Sequence, residues 1–308
     1  MHRRDLLLGA AAAASLPALG HAQTAPAAPQ FHRLQVGTVP VTIVHDGAVT
    51  RDVAQNFVLN ATPDQVRTAL AAAGNAGTTI QNPYNQTVVQ TRAGVVLIDA
   101  GFGQGAPAGL AQRTAAMRAA GIDPAAVAMV VFTHFHGDHI GGLIGTDGQP
   151  AFPNAAIKVP EREWVFWNDA GEESRAAENR RPGFAQVRQR FAPYAARVER
   201  FAPGAEVAPG ITAIDTAGHS PGHVSFLIAD GNAQCLVIGD AITSPGLFLA
   251  NPEWYPIFDM DPTMAVAARK ALLERAATER MPVIGYHFPM PATGRVERAG
   301  TGYRLVTG

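Results

Sequence analysis

Thr133-His134-Phe135-His136-Gly137-Asp138-His139 follows an apolar run, Val127 to Phe132, and precedes Ile140-Gly141-Gly142. The run is rich in β-branched residues and reads as a buried strand, so this polar segment begins where a strand ends. His134 and His136 are two residues apart and can leave the strand end on one side. Asp138 and His139 fall where the backbone turns and can face a second ion. A hydrophobic core has little use for so many polar groups, each costly to bury unpaired. Imidazole nitrogen and carboxylate oxygen are the donors that Zn²⁺ and similar first-row ions favour. The segment therefore reads as a metal site rather than as a solvated histidine-rich turn.

The whole chain sets bounds on that reading. Its 308 residues suit one large domain or two small ones, and 47% apolar with 16% charged residues describes a globular protein with ample core. A net charge of −1 without any basic run argues against a nucleic-acid partner. Arg3-Arg4, an apolar stretch to Leu19 and then Gly20-His21-Ala22 form the order of a secretory signal. The arginine pair suggests the twin-arginine route. Residues 1–22 are thus expected to be removed and the mature protein to be periplasmic, the alternative being an apolar N-terminal helix or anchor. The stretch is too short and alanine-rich to span a bilayer comfortably, and no other segment can span, so no stable membrane insertion is expected after cleavage. Residues 23–30 are Ala/Pro/Gln-rich and read as a flexible lead-in to a domain over 31–308. Cys235 is the only cysteine, which rules out an internal disulfide; it reads as a small core residue.

Strands are expected at Phe31–Val36, Val39–Asp46, Thr87–Thr91 and Val95–Asp99, with a turn at Asp46-Gly47. Helices are expected at Pro63–Ala73, with Thr62 as N-cap, and at Ala106–Ala120. After the histidine segment come a strand at Ala156–Val159, a helix at Glu161–Asn168, a polar stretch over 171–183 and a helix at Phe184–Ala192. The second half brings strands near Val198–Phe201, Ile211–Asp215, Val224–Ala229 and Cys235–Ile238, a long helix at Pro262–Glu279 and a strand at Val283–Tyr286.

His-x-His-x-Asp-His after a hydrophobic strand resembles the metallo-β-lactamase superfamily. Thr216-Ala217-Gly218-His219-Ser220-Pro221-Gly222-His223, Val237-Ile238-Gly239-Asp240 and Gly285-Tyr286-His287 follow in the order and spacing of that family's later motifs. The resemblance runs from about Phe31 to the C-terminus and implies an α/β fold, a four-layer αββα sandwich. Mapped residue by residue, it implies that His134, His136 and His219 hold one divalent ion and that Asp138, His139 and His287 hold another. Asp240 would bridge them, with Asp138 and Asp240 as the catalytic carboxylates. The cofactors would be two ions, Zn²⁺ foremost, with Mn²⁺, Co²⁺ or Fe²⁺ compatible with the same donors. The bland readings are a turn histidine for His219 or His223, a helix cap for Asp240, and a core or surface histidine for His287. In the family's pattern His223 is a supporting residue, and Asp99, at the end of Val95-Val96-Leu97-Ile98, supports the metal loops.

Ala151-Phe152-Pro153-Asn154-Ala155, Trp164-Val165-Phe166-Trp167 and the tail from His287-Phe288-Pro289 to Gly302-Tyr303-Arg304 resemble the methyl parathion hydrolases and their lactonase relatives. The chain departs from them around Phe102-Gly103-Gln104 and Phe248-Leu249-Ala250, which leaves substrate preference open. Trp167 and Phe288 stand out as pocket residues among Trp164, Phe166, Phe102, Phe248, Trp254 and Phe258. The resemblance implies a small-molecule substrate, with an ester-like bond, above all a lactone, opened by a metal-bridging hydroxide. An organophosphate triester is the alternative. A β-lactam is disfavoured by Asp240 where a cysteine would stand, and a non-catalytic metal-binding protein by the complete donor set. Relatives suggest a homodimer.

Overall fold

The computed structural model describes residues 30–307 other than Ala54; the expected signal and nearly all of its lead-in lie outside the described residues. Fourteen strands follow the chain: β1 Phe31–Val36, β2 Val39–Asp52, β3 Thr79–Thr91, β4 Gly94–Ile98, β5 Val127–Val131, β6 Ala156–Pro160, β7 Val198–Phe201, β8 Glu206–Ala208, β9 Ile211–Asp215, β10 Val224–Asp230, β11 Ala233–Val237, β12 Pro282–Ile284, β13 Thr293–Ala299 and β14 Gly302–Val306. The helices are α1 Pro63–Ala72, α2 Arg113–Ala119, α3 Gly137–Ile140, α4 Glu161–Asn168, α5 Ala170–Arg175, α6 Arg181–Phe191, α7 Pro245–Phe248 and α8 Pro262–Thr278.

The first seven strands make one sheet in chain order, and the last seven make the other, ordered β14-β13-β12-β11-β10-β9-β8. Strand alternation builds the layers. Val41, Ile43, Val89, Val96, Ile98 and Val131 turn inward and share a buried cluster with Ile211, Ala213, Phe226 and Ile228 of the second sheet. Their neighbours Val44, Val88, Leu97 and Val130 turn outward onto Met117 of α2, Trp167 of α4 and Phe184, Val187 and Phe191 of α6. Helix α8 covers the other side against β13, burying Leu272, Leu273 and Ala276. The expected helix–sheet–sheet–helix sandwich is the fold.

Several elements depart from expectation for local reasons. Asp46-Gly47 is a bulge rather than a turn, with the β2–β3 register shifting between His45 and Ala48. Strand β3 starts earlier than expected because its polar residues Asn82, Asn85 and Gln86 are buried, which hides the apolar alternation of a strand. The helix expected over 106–120 is confined to Arg113–Ala119. The preceding loop is tied down by Asp46, whose carboxylate accepts from the Phe102 and Arg113 amides at 2.7 and 2.6 Å. Part of the polar stretch over 171–183 forms α5, where Asp169 just before it accepts from the Glu172 amide at 2.8 Å and caps the helix. Thr62 does cap α1, forming a reciprocal box with Gln65. Strand β8 and the hairpin of β13 and β14 were not expected.

The parallel pairs are β4–β5, β5–β6 and β6–β7 in the first sheet and β11–β12 in the second. The segment after β5 and those after β11 and β12 leave the carboxyl ends of parallel strands, where open α/β sheets place ligands.

Candidate metal centre

The chain leaves β5 through Phe132, and His136 becomes the N-cap of the one-turn helix α3, so Asp138 and His139 project from its first turn. Gly142 follows because a Cβ there would strike the Ala100 carbonyl and the Arg113 guanidinium. His219 comes from the β9–β10 connection, Asp240 from a 3₁₀ turn after β11 and His287 from the turn after β12. Gly239 permits that 3₁₀ turn with φ +53°, and a Cβ there would press within 2.7 Å of His223 Nε2.

These segments bring donors together in two groups, His134, His136, His219 and Asp240, and Asp138, His139, Asp240 and His287, each with all donor atoms within 4.8 Å. His136 Nδ1 lies 3.0 Å from His134 Nε2 and 2.9 Å from His219 Nε2. Asp240 Oδ2 lies 3.2 Å from both His219 Nε2 and His287 Nε2, and Oδ1 lies 3.2 Å from His139 Nε2. Asp138 Oδ2 approaches His139 Nε2 and His287 Nε2 at 3.7 and 3.6 Å. Asp240 therefore belongs to both groups.

The surroundings fix which imidazole nitrogen faces inward. His139 Nδ1 donates to Asp99 at 2.9 Å, His219 Nδ1 to Asp259 at 2.9 Å and His287 Nδ1 to the Pro83 carbonyl at 2.9 Å. Thr133 gives its hydroxyl to Asp99 at 2.8 Å and can therefore accept from His134 Nδ1 at 3.0 Å. Each leaves Nε2 turned to the centre, the arrangement that metal-binding histidines take. Asp99 does this from a left-handed backbone, φ +62°, which for a non-glycine residue points to a functional constraint. His223 donates from Nδ1 to Thr216 at 2.8 Å and accepts the Asp240 amide on Nε2 at 3.0 Å. It steadies Asp240 from behind.

Electrostatics show a site whose carboxylates draw protons onto some of its imidazoles and not others. Burial and neighbouring imidazoles press His134 and His136 well below the ordinary histidine range, and burial takes His223 to about 3. Burial works against protonation of His139 and His219 too. Asp240 with Asp99 and Asp138 overturns it for His139, and Asp240 with Asp259 lifts His219 to about 9. Asp240 itself is held well below the carboxylate range, because His287 and His139 outweigh its burial. His139 Nε2 and Asp240 Oδ1 are buried 3.2 Å apart, and neither forms a well-aligned hydrogen bond. Orphaned atoms of this kind, converging on one point, fit a cation that would replace the protons.

Residues 80–287 match the metallo-beta-lactamase superfamily. The chain belongs to that superfamily. Its backbone also matches solved structures closely. AidC, a dizinc quorum-quenching lactonase solved with a product N-hexanoyl-L-homoserine, aligns with a TM-score of 0.84 at 22% identity over 90% of this chain and 97% of that one. The hydrolase AbOPH, described as in the beta-lactamase superfamily, aligns at 0.83 with 27% identity over 90% and 97%. A 117-residue stretch is 32% identical to the uncharacterized protein YobT of Bacillus subtilis (strain 168), 38% of this chain but only about half, 47%, of that relative.

In this metallo-beta-lactamase fold a cavity of about 730 Å³ opens over both donor groups. Of the expected aromatic residues, Trp167, Phe102 and Phe258 line it. Phe288 does not, which corrects its assignment to the pocket. It is fully buried in the core cluster, and its ring lies where a Cβ on Gly285 would be. Phe248 is likewise in that core, Trp254 lines a separate groove, and Trp164 and Phe166 pack on Phe191 and Phe184 of α6.

Sequence reasoning missed several supports. Glu163, fully buried at the start of α4, accepts from the Phe135 and Gly222 amides at 3.1 and 2.7 Å, from Ser220 Oγ at 2.6 Å and from Trp167 Nε1 at 2.8 Å. It clamps the loops of His134–His136 and His219 together. Burial raises its pKa, and these bonds hold the rise in check. Tyr286 stacks on His139 with centroids 3.8 Å apart and donates to the Asp138 carbonyl at 2.7 Å. Asn85 donates to the Tyr286 and Phe288 carbonyls at 2.9 and 2.8 Å, so the polar part of β3 exists to seat the His287 turn. The buried Asp259 also accepts from Arg269 at 3.0 Å.

Proposed function

We propose that the protein is an exported dinuclear metallohydrolase that opens an ester-like bond, with lactones as its substrates. His134, His136 and His219 would hold one divalent ion, Asp138, His139 and His287 the other, with Asp240 between them and zinc as the metal. The observation that carries this reading is the Asp240 carboxylate, set between two histidine-rich donor groups at the floor of one cavity. Such an ion pair, when bound, supplies a nucleophile at neutral pH by lowering the pKa of water towards about 7 and polarises the electrophile.

The chain's own groups do the rest. Asp99, Asp259 and the Pro83 carbonyl hold the imidazoles in their working orientation. Phe102, Trp167 and Phe258 screen the reacting bond from bulk water. Asp138, whose side chain is 23% exposed, is the more open of the two donor carboxylates lining the cavity; it would pass the proton released by the attacking water to the departing alkoxide. The product-bound lactonase among the structural relatives supports the lactone reading. The resemblance to methyl parathion hydrolases favours an aryl phosphotriester as the second reading. Arg3-Arg4 and the apolar stretch after them support export by the twin-arginine route.

The test is kcat/KM of the mature, metal-loaded protein on an acyl-homoserine lactone and on an aryl phosphotriester. A lactone value of about 10⁴ M⁻¹s⁻¹ or more, within the normal enzyme range, is expected. A dominant triester rate would replace lactonase by phosphotriesterase, and negligible rates on both would overturn the substrate reading.

A further inference from the structure

The wall of the cavity carries Arg51, Arg180 and Arg190 beside its aromatic residues. The carboxylates among the described residues lining it are Asp138 and Asp240, both already in the donor groups. Away from the centre, the wall is therefore positive. Arg190 donates from Nη2 to the Gln104 carbonyl at 2.8 Å, while its Nε and Nη1 are buried without a partner. Held by that bond and half-buried in the cavity wall, it sets a positive potential in the space beside it.

Arg51 supplies the contact. It extends from β2 over the Phe258 ring, 4.9 Å from the centroid, and faces the Tyr84 hydroxyl together with Asn82. Tyr84 stands edge-on to His287 and to Phe102, with centroids 5.2 and 4.7 Å apart. Arg51 is thus one side chain removed from the second donor group. A guanidinium with a phenol and an amide beside it presents several N–H and O–H donors, the recognition pattern for an oxyanion.

We propose that the cavity selects substrates bearing an oxyanion, a carboxylate or a phosphate, set away from the scissile bond, with Arg51 as its contact and Arg190 as the fixed positive field. This rests on the hydrolase reading above and narrows it, since a plain acyl chain or a neutral triester would leave those donors unused.

Chain-matched probes test it: 4-nitrophenyl hexanoate, the mono-4-nitrophenyl ester of adipic acid, and the 5-phosphonopentanoate ester. With the metal-loaded protein at low salt, the better of the two acidic esters should exceed the neutral one about tenfold in kcat/KM, and salt should erode the difference. Which acidic ester wins identifies the oxyanion. Arg51→Met should bring the acidic-to-neutral ratio close to one, and Arg51→Lys should restore part of it. The matching 4-nitroanilides, which resist hydrolysis, read the same preference as Kd. Equal Kd values for acidic and neutral anilides, or a ratio unmoved by Arg51→Met, would overturn the inference. Absent turnover of every ester, with the Kd preference intact, would instead count against the hydrolase reading.

Discussion

The two donor groups share their chemistry and differ in how they are held. His219 leans on Asp259, itself paired with buried Arg269, and His134 leans on Thr133, which Asp99 fixes in turn. In the other group His139 also rests on a buried carboxylate, Asp99, but His287 is oriented by a neutral backbone carbonyl and the Asp138 side chain is partly open to the cavity. A charged, buried support holds its ligand more firmly than a carbonyl does. The edge of the centre formed by His287 and Asp138 is therefore the looser one.

The largest effect should come from removing what the groups share. Asp240→Ala is expected to cost on the order of 10⁴-fold in kcat/KM, the scale of losing an essential catalytic group, and to leave at most one ion per chain by elemental analysis. Full activity with both ions retained would sink the bridging role. Next is the firm side. Asp259→Ala strands the Arg269 guanidinium in the interior and should cost about 3–5 kcal/mol of stability in denaturant unfolding. A much smaller loss would mean that the pair is not what stiffens this group.

The loose side should respond differently. Asn85→Ala frees the turn that carries His287 and should weaken one of the two ions by about 10–100-fold, as loss of an outer support does. The other ion should stay in place, which a chelator titration would read as two separated steps. If both ions weakened together, the groups would be one unit and the comparison would fail.

These predictions lean unevenly on sequence. His134 to His139 is legible because four donors share one strand end, and a strand end is a local property. His219, Asp240 and His287 are scattered; only a family pattern orders them before the fold does. Glu163 was illegible because an acidic residue in the first turn of a helix is an ordinary favourable charge. Its burial comes from Ser220 and Gly222, far along the chain. Arg269 reads as one more polar residue of α8 until the Asp259 loop closes on it. Phe288 misled by adjacency: the turn that delivers His287 to the centre sends the next ring back under Gly285.

The smallest effect serves as a control on the shared core. Cys235 lies on β11, the strand that leads to Asp240, and burial pushes its thiol up to about 12. A raised folded pKa gives stability that is complete below the unfolded thiol's 9.0 and is lost as pH rises from there towards about 12. A thiol reagent at pH 8 should therefore label the folded protein hardly at all and the unfolded protein fully. Rapid labelling of the native state would show that this strand opens far more readily than the packing suggests.

Among the described residues the chain passes from one sheet to the other once, between Phe201 and Glu206. His134, His136, Asp138 and His139 lie before that crossing, and His219, Asp240 and His287 lie after it. A cut there would yield two polypeptides, neither carrying a whole set of donors. Affinity for the ions would then become affinity of one fragment for the other. Metal concentration would set how much of the pair assembles, and turnover would report it.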